Sequence, residues 1–531
     1  MQTQTVFARW FRRSLFASAA VAALASFAAT AQAQQTLVVA GVTTPKGIDG
    51  DVFLPGTLES VINMYEGLTE YGRIKDASGK EVLDASQVKP HLAESWTASP
   101  DGKSYVFKLK PAKSPHGNEL RADDIVFGFQ KSDEQKRTGL FLKTVALIDT
   151  VEKVSDKEVK FTLKSPNRSF LRTIQLYTPG IYDSKKVKEN ATAADPFALQ
   201  WIAQNSAGYG AYHMQSIRPG EGAVFVANPN YFDKKPFYDR VVFREVPQPS
   251  NRAALVKSGD AQWAEQVPMQ AIPDLMKDKN VKVENVVGTG TAHLLMNPKY
   301  KPFDDVRVRR AMIYATDFDA INKTVFLGLG TRSRSYMPTV LPGHIEAYKY
   351  ETDYAMAKKL LAEAGYPNGV EVSIEYSDNN WWEEQLAIQV AQSAANAGIK
   401  ITPKRIPSTE MNMRRGPGQR TIPFFTYLTT PFVLDPGYSF YLSAHSQGSN
   451  NTAAYYRKEM DELIDKIVVE TDDAKWKSML AEAQRMHAED AIYIDTFYPG
   501  VYAVMAPCVT GWVWRPVPFT YWRDLRCEKK S

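Results

Sequence analysis

Short runs of alternating apolar and polar residues mark the first half of the chain. Tyr105, Phe107 and Leu109 alternate with Val106, Lys108 and Lys110 after the turn Pro100-Asp101-Gly102, and Val159, Phe161 and Leu163 repeat the alternation. A period of two puts one face of each segment in a core, so both are expected as half-buried strands. Residues 36–42, 224–226 and 241–246 are further expected strands, punctuated by Asn228-Pro229-Asn230 and Pro247. Beyond Asn285 the period changes. Strand-like segments at 293–296, 372–376, 401–406 and 492–498 are interleaved with helix-like ones, as in βαβ units. Asp305 opens a helix carrying Arg307, Arg309 and Arg310. Asp353 is the expected N-cap of a helix with Met356, Leu360, Leu361 and Ala364 on one face, ended by Gly365 and Pro367. A helix over about 383–397 stops at Gly398. Met460, Leu463, Ile464, Ile467 and Val468, then Trp476, Met479, Leu480, Ala483 and Met486, form two further apolar stripes at helical spacing. The expected class is α/β, with a β-rich first part, an α/β second part, and a strand-rich tail that rejoins the first.

The N-terminus reads as a leader rather than as fold. Arg9, Arg12 and Arg13 precede an apolar, alanine-rich run from Leu15 to Ala29, and Ala31-Gln32-Ala33 is a small-x-small cleavage site. That pattern predicts a secretory signal peptide over 1–33, removed near Ala33. The mature chain of about 500 residues exceeds what one core organises, so two or more lobes are expected. Loss of the three arginines takes the formal charge from +5 to +2, which does not point to nucleic acid or a polyanion. Aromatic residues make up 11% of the chain, enough to line a ligand cavity as well as a core. Cys508 and Cys527 are the two cysteines. In an oxidising compartment the pair reads as a disulfide that staples the tail, the alternative being two buried thiols.

Several segments then resemble the family 5 extracellular solute-binding proteins, the oligopeptide-, dipeptide- and nickel-binding components of ABC importers. Leu92-Ala93-Glu94-Ser95-Trp96, the run from Pro100 to Leu109 and Ala122-Asp123-Asp124-Ile125-Val126-Phe127 resemble the family's signature block. Gly208-Tyr209-Gly210-Ala211-Tyr212, Asn228-Pro229-Asn230-Tyr231-Phe232, the run from Pro302 to Ala311 and Ala362-Glu363-Ala364-Gly365-Tyr366 follow in the family's order. The resemblance implies a two-lobed periplasmic binding protein clamshell with an extra subdomain. Lobe I would take 34–290 plus 491–531, divided as 34–71/205–290/491–531 and 72–204, and lobe II would take 291–490. Two strands near 291–296 and 492–498 would form the hinge. It also implies a periplasmic monomer that binds a peptide or other small solute, needs no cofactor, and hands its load to inner-membrane permease subunits. In peptide-binding relatives an aspartate holds the peptide ammonium; here that place falls on Phe432, with Asp435-Pro436 kept. An aromatic ring offers an ammonium only a weaker cation–π contact, so ordinary peptides are in question and an opine-like, sugar-like or aromatic carboxylate ligand is the alternative. The expected ligand-binding residues are Thr43, Trp263, Glu265, Trp381, Trp382, Arg415, Tyr427, Phe432, Asp435 and Tyr498.

Rival functions find less support. Neither G-x-S-x-G nor H-E-x-x-H occurs, and the seven histidines lack ligand spacing. Asp123-Asp124 and Asp304-Asp305 sit where helix capping accounts for them. His445 is the one candidate toward a metal-chelate ligand. No enzymatic activity is expected.

Overall fold

The computed structural model describes residues 35–52, 57–76, 79–378, 381–516 and 520–528, and only the backbone of Trp381. The leader expected at 1–33 lies outside the described residues. Two large sheets organise the rest. One has seven strands in the order Lys282–Val286, Val501–Met505, Trp263–Ala264, Thr36–Gly41, Arg240–Glu245, Gly222–Ala227 and Tyr212–Arg218. The other has six: Thr331–Arg332, Tyr493–Tyr498, Thr291–Met296, Phe424–Thr429, Val370–Ser377 and Ile399–Ile406. A four-stranded antiparallel sheet, Ala93–Ala98, Ser104–Leu109, Glu158–Leu163 and Ile148–Ser155, carries the helix Ala122–Gln135. The alternation read from the sequence is visible there, since Val159, Phe161 and Leu163 are buried and their neighbours are not.

The second large sheet is built as its sequence suggests. Val370–Ser377 and Ile399–Ile406 are parallel neighbours, joined by the helix Trp381–Ala395. Asp353 accepts the Met356 N–H at 2.9 Å and caps Tyr354–Glu363, a contact worth about 1 kcal/mol. Met460, Leu463, Ile464 and Ile467 of Lys458–Val469 pack with Trp476 and Leu480 of Asp473–Asp490 against Leu295 and Tyr493 of the sheet.

The chain passes between the large sheets twice. Lys282–Val286 leads through 287–290 into Thr291–Met296, and Tyr493–Tyr498 leads through 499–500 into Val501–Met505. The two passages run side by side. Val286 pairs with Val501 on one side of them and Ala292 with Phe497 on the other, both antiparallel. The fold is therefore a two-lobed clamshell joined by two adjacent strands. Gly500 sits at one passage with φ +84°, a left-handed conformation that favours glycine, and a Cβ there would lie 2.8 Å from Tyr502 Oη. The sequence groups 491–531 with the first part. Tyr493–Tyr498 instead pairs in the six-stranded sheet, buried along its whole length, and the chain returns to the first lobe at 499–500.

The tail then closes on the first lobe. Cys508 and Cys527 form a disulfide beside the short ladder Val509–Thr510 with Arg526–Cys527. Trp522, fully buried, packs against Tyr212 and Phe225. Among the described residues no helix is long and apolar enough to cross a membrane.

Candidate functional site

Beside the two passages, the first lobe forms a partly open cavity of about 60 Å³. Three stretches of chain make it. The short strand Trp263–Ala264 is fixed between Val39–Ala40 and Val504–Met505, and delivers Trp263 and Glu265 to the wall. Val501, Tyr502 and Ala503 form a second side, and Trp512, Trp514 and Arg515 of the disulfide-closed tail form a third. Glu59, from the helix Leu58–Met64, reaches the same space. Trp263 and Trp512 lie 6.4 Å apart between ring centres. Trp514 packs against the cores of both lobes.

The two carboxyl groups are set alike. Glu59 Oε2 accepts the Thr520 N–H at 3.0 Å, and Glu265 Oε2 accepts the Val42 N–H at 3.1 Å. The other oxygen of each, Oε1, is buried without a hydrogen-bond partner. The Trp522 indole N–H lies near enough to favour ionised Glu59, yet it completes no hydrogen bond either. Burial raises the pKa of both acids, and the neighbouring charge of Glu265 raises that of Glu59 further. Arg515 is engaged elsewhere, donating to Asp524 at 2.7 Å and stacking on Tyr521.

The loop after Phe424–Thr429 brings the second lobe onto the first. Thr289 Oγ1 donates to the Pro431 carbonyl at 3.3 Å, and the Leu434 N–H donates to Tyr71 Oη at 2.7 Å. Tyr71 belongs to the hairpin Thr69–Lys75/Glu81–Pro90, which packs on the second-lobe core. Phe432 is half-buried against the first-lobe core. Asp435 is bonded through Oδ1, while Oδ2 is buried without a hydrogen-bond partner. It caps Pro436–Ala444 through the Tyr438 N–H at 3.0 Å, accepts Ser169 Oγ at 2.5 Å, and lies 3.8 Å from Arg172. A second cavity, about 330 Å³, opens between the lobes here, lined by Asn167, Ser169, Tyr438, Tyr441 and Val468 among others.

The structure brings Trp263 and Glu265 together and scatters most other expected ligand residues. Thr43 is half-buried next to Thr44, whose hydroxyl binds Glu245. Trp382 is a core residue of the second lobe, packed with Leu386 and Ile374. The side chain of Trp381 lies outside the described residues. Arg415 binds Asn412 at 2.6 Å and covers the Tyr427 ring, while Arg414 is paired with Glu375 and Glu410. Tyr498, in a central strand, is fully buried with its hydroxyl toward the Met337 carbonyl. His445 stacks on Tyr441 and lies 3.5 Å from Asp465. Glu59, Tyr502, Trp512 and Trp514 escaped the sequence reading. The tryptophan-rich run Gly511-Trp512-Val513-Trp514-Arg515 inside the cysteine bracket was the available signal.

Comparison with known proteins agrees with this architecture. Residues 87–451 match the family model described as bacterial extracellular solute-binding proteins, family 5 Middle. The chain is 26% identical to the heme-binding protein A of Haemophilus influenzae, over 92% of this chain and 94% of that protein. It is also 26% identical to the dipeptide-binding protein of Escherichia coli, over 94% and 96%. The structure of HbpA2 from Haemophilus parasuis superposes with a TM-score of 0.80 at 24% identity, covering 93% of this chain and 100% of that one, and has the same fold.

Proposed function

The chain belongs to the bacterial extracellular solute-binding proteins of family 5, and from that premise we propose that it captures a small polar solute between its lobes and delivers it to the permease of an ABC importer. Membership of the family makes a peptide or peptide-like molecule the first candidate for the solute. The protein works in the periplasm after loss of the leader at 1–33, and it performs no bond chemistry. The observation that carries this reading is the seating of 431–435 on the first lobe, through Thr289, Tyr71 and Ser169. The Tyr71 and Ser169 contacts join the two lobes, and Thr289 lies in a passage between them. A solute touching both lobes binds the closed form better, and that difference in affinity moves the population toward closure. Periplasmic binding proteins are a standing example of such hinge closure. The closed surface is what a permease would recognise.

The two relatives bind different things by their names, heme and dipeptide, so membership alone does not set the solute. Phe432 bears on it directly. Its ring faces the first-lobe core where a carboxylate would be needed to hold a free ammonium. This favours a solute without an ordinary peptide amino terminus at that place, such as an opine-like, sugar-like or aromatic carboxylate.

A thermal-shift panel tests the reading. A true solute at 100 times its Kd adds about 2.7 kcal/mol of stability. We expect ordinary dipeptides to give little shift, and Phe432→Asp to create one. Tight dipeptide binding by the native protein would contradict the argument from Phe432. Turnover of any panel member would contradict the binding role.

A further inference from the structure

The cavity beside the passages holds two acids, each with one unpartnered carboxyl oxygen. Glu59 and Glu265 each have one carboxyl oxygen satisfied by a main-chain N–H and one buried without a partner. Glu59 as a whole is 4% exposed. A buried acceptor without a donor is costly; the Trp522 indole N–H lies beside Glu59 without closing a hydrogen bond, and Glu265 Oε1 has no partner. The nearby cations do not supply one. Arg515 is held by Asp524, and Arg252 donates to the main-chain carbonyls of Val246, Pro247, Glu265 and Gln266. The walls favour the same kind of guest, because the faces of tryptophan rings attract cations. Trp263, Trp512 and Trp514 all line the space, and Lys80, paired with Glu284, already places its ammonium over the Trp512 ring at 4.7 Å. Its size sets a limit. A space of about 60 Å³ takes the end of a molecule and not a whole dipeptide.

We propose that this cavity is a subsite for a cationic end-group of the solute, an ammonium or guanidinium, held between Glu59 and Glu265 within the tryptophan walls. The inference rests on the reading that the protein captures a solute between its lobes, and adds a chemical class to it. The charge would be met in the first lobe, at a place remote in sequence from Phe432. Specificity follows from the same geometry. A neutral urea of the same shape keeps three N–H donors but carries no charge and turns a carbonyl acceptor toward the acids, whereas a guanidinium offers five donors and the neutralising charge. The disulfide contributes by fixing the tail that carries Trp512 and Trp514.

The test uses two probes of matched shape, n-butylguanidinium and n-butylurea, titrated calorimetrically at pH 8 into the full mature protein. Wild type should bind the guanidinium at least tenfold more tightly than the urea. Glu59→Gln and Glu265→Gln, singly and together, should shrink that preference to within about twofold. Circular dichroism of each variant reports folding, and the single variants serve if the double one does not fold. Equal affinities in wild type, or no binding of the cation at millimolar concentration, overturn the proposal and leave a water-filled structural cavity. Solute capture is read separately, from the mass of the molecule that the protein retains. A retained solute without a cationic group, together with no cation preference, sinks the subsite and leaves capture standing. A cation preference in a protein that retains and binds no solute does the reverse.

Discussion

At the scale of the residue, Glu265 makes the most direct prediction. Burial pushes its carboxyl up to about 7, with the Val42 N–H and Arg252 working in the opposite direction. A carboxyl raised in the folded state binds its proton more tightly there than in the unfolded chain. Its contribution to stability is therefore full below the unfolded value near 4.3 and is lost as pH rises through about 7. The unliganded protein should lose stability from the coupled Glu59/Glu265 pair as pH rises from 5 to 8. Glu265→Gln should remove part of that decline, read as a smaller difference in Tm between the two pH values than in wild type. An unchanged difference would mean that the carboxyl titrates normally. Trp263 and Glu265 were legible because they follow the turn Ser258-Gly259-Asp260, where the resemblance implies cleft residues, and the structure places both on the cavity wall. Glu59 was not. In Leu-Glu-Ser-Val-Ile-Asn-Met a lone glutamate reads as a solvated helix position, and only the packing of the tail across it makes it buried. Trp382 and Tyr498 misled for the opposite reason, since a large aromatic residue near a strand end looks the same whether it fills a core or a cleft.

At the scale of the element, two devices can be tested. The first is the interlobe contact of Ser169 with Asp435. Ser169→Ala leaves the Asp435 cap on Pro436–Ala444 intact and removes one buried bond made across the lobes. Losing a buried hydrogen bond to a charged group costs about 1.5–3 kcal/mol, so solute affinity should fall at least about tenfold with little change in local fold. An affinity unchanged in calorimetry would show that this contact does not bias closure. The second device is the disulfide. Cys508 and Cys527 are separated by 19 residues, a loop whose closure is worth about 3 kcal/mol in the chain-entropy account. Replacing both by serine should lower the denaturation midpoint accordingly. Helices with aspartate caps and single apolar stripes were readable, as at Asp353 and Met460, because cap and stripe are local signals. The hairpin Thr69–Lys75/Glu81–Pro90 was not, because its second strand has no clean alternation and owes its place to Tyr71 lying on the other lobe.

At the scale of the whole molecule, the two lobes and their paired passages set what the protein can do. The strands at 282–286 and 501–505 belong to one sheet, and their continuations at 291–296 and 493–498 to the other, so rotation concentrates in two short adjacent segments. Contacts made across the lobes, such as those of Tyr71 and Ser169, then favour closure, and the solute adds the remainder. The clamshell itself was legible from the change of period at Asn285 and from the collinear family motifs. The exact return point of the chain was not, since Tyr493–Tyr498 and Val501–Met505 are equally strand-like and only pairing separates them.

The central claim is capture of a solute without chemistry. Native mass spectrometry of the freshly purified, untreated protein tests it most directly. The account predicts a folded mass that exceeds the denatured mass by one small molecule, released unchanged on denaturation and rebound when added back. Equal folded and denatured masses with no adduct from any small polar solute, or a released molecule that the protein goes on to convert, would contradict it.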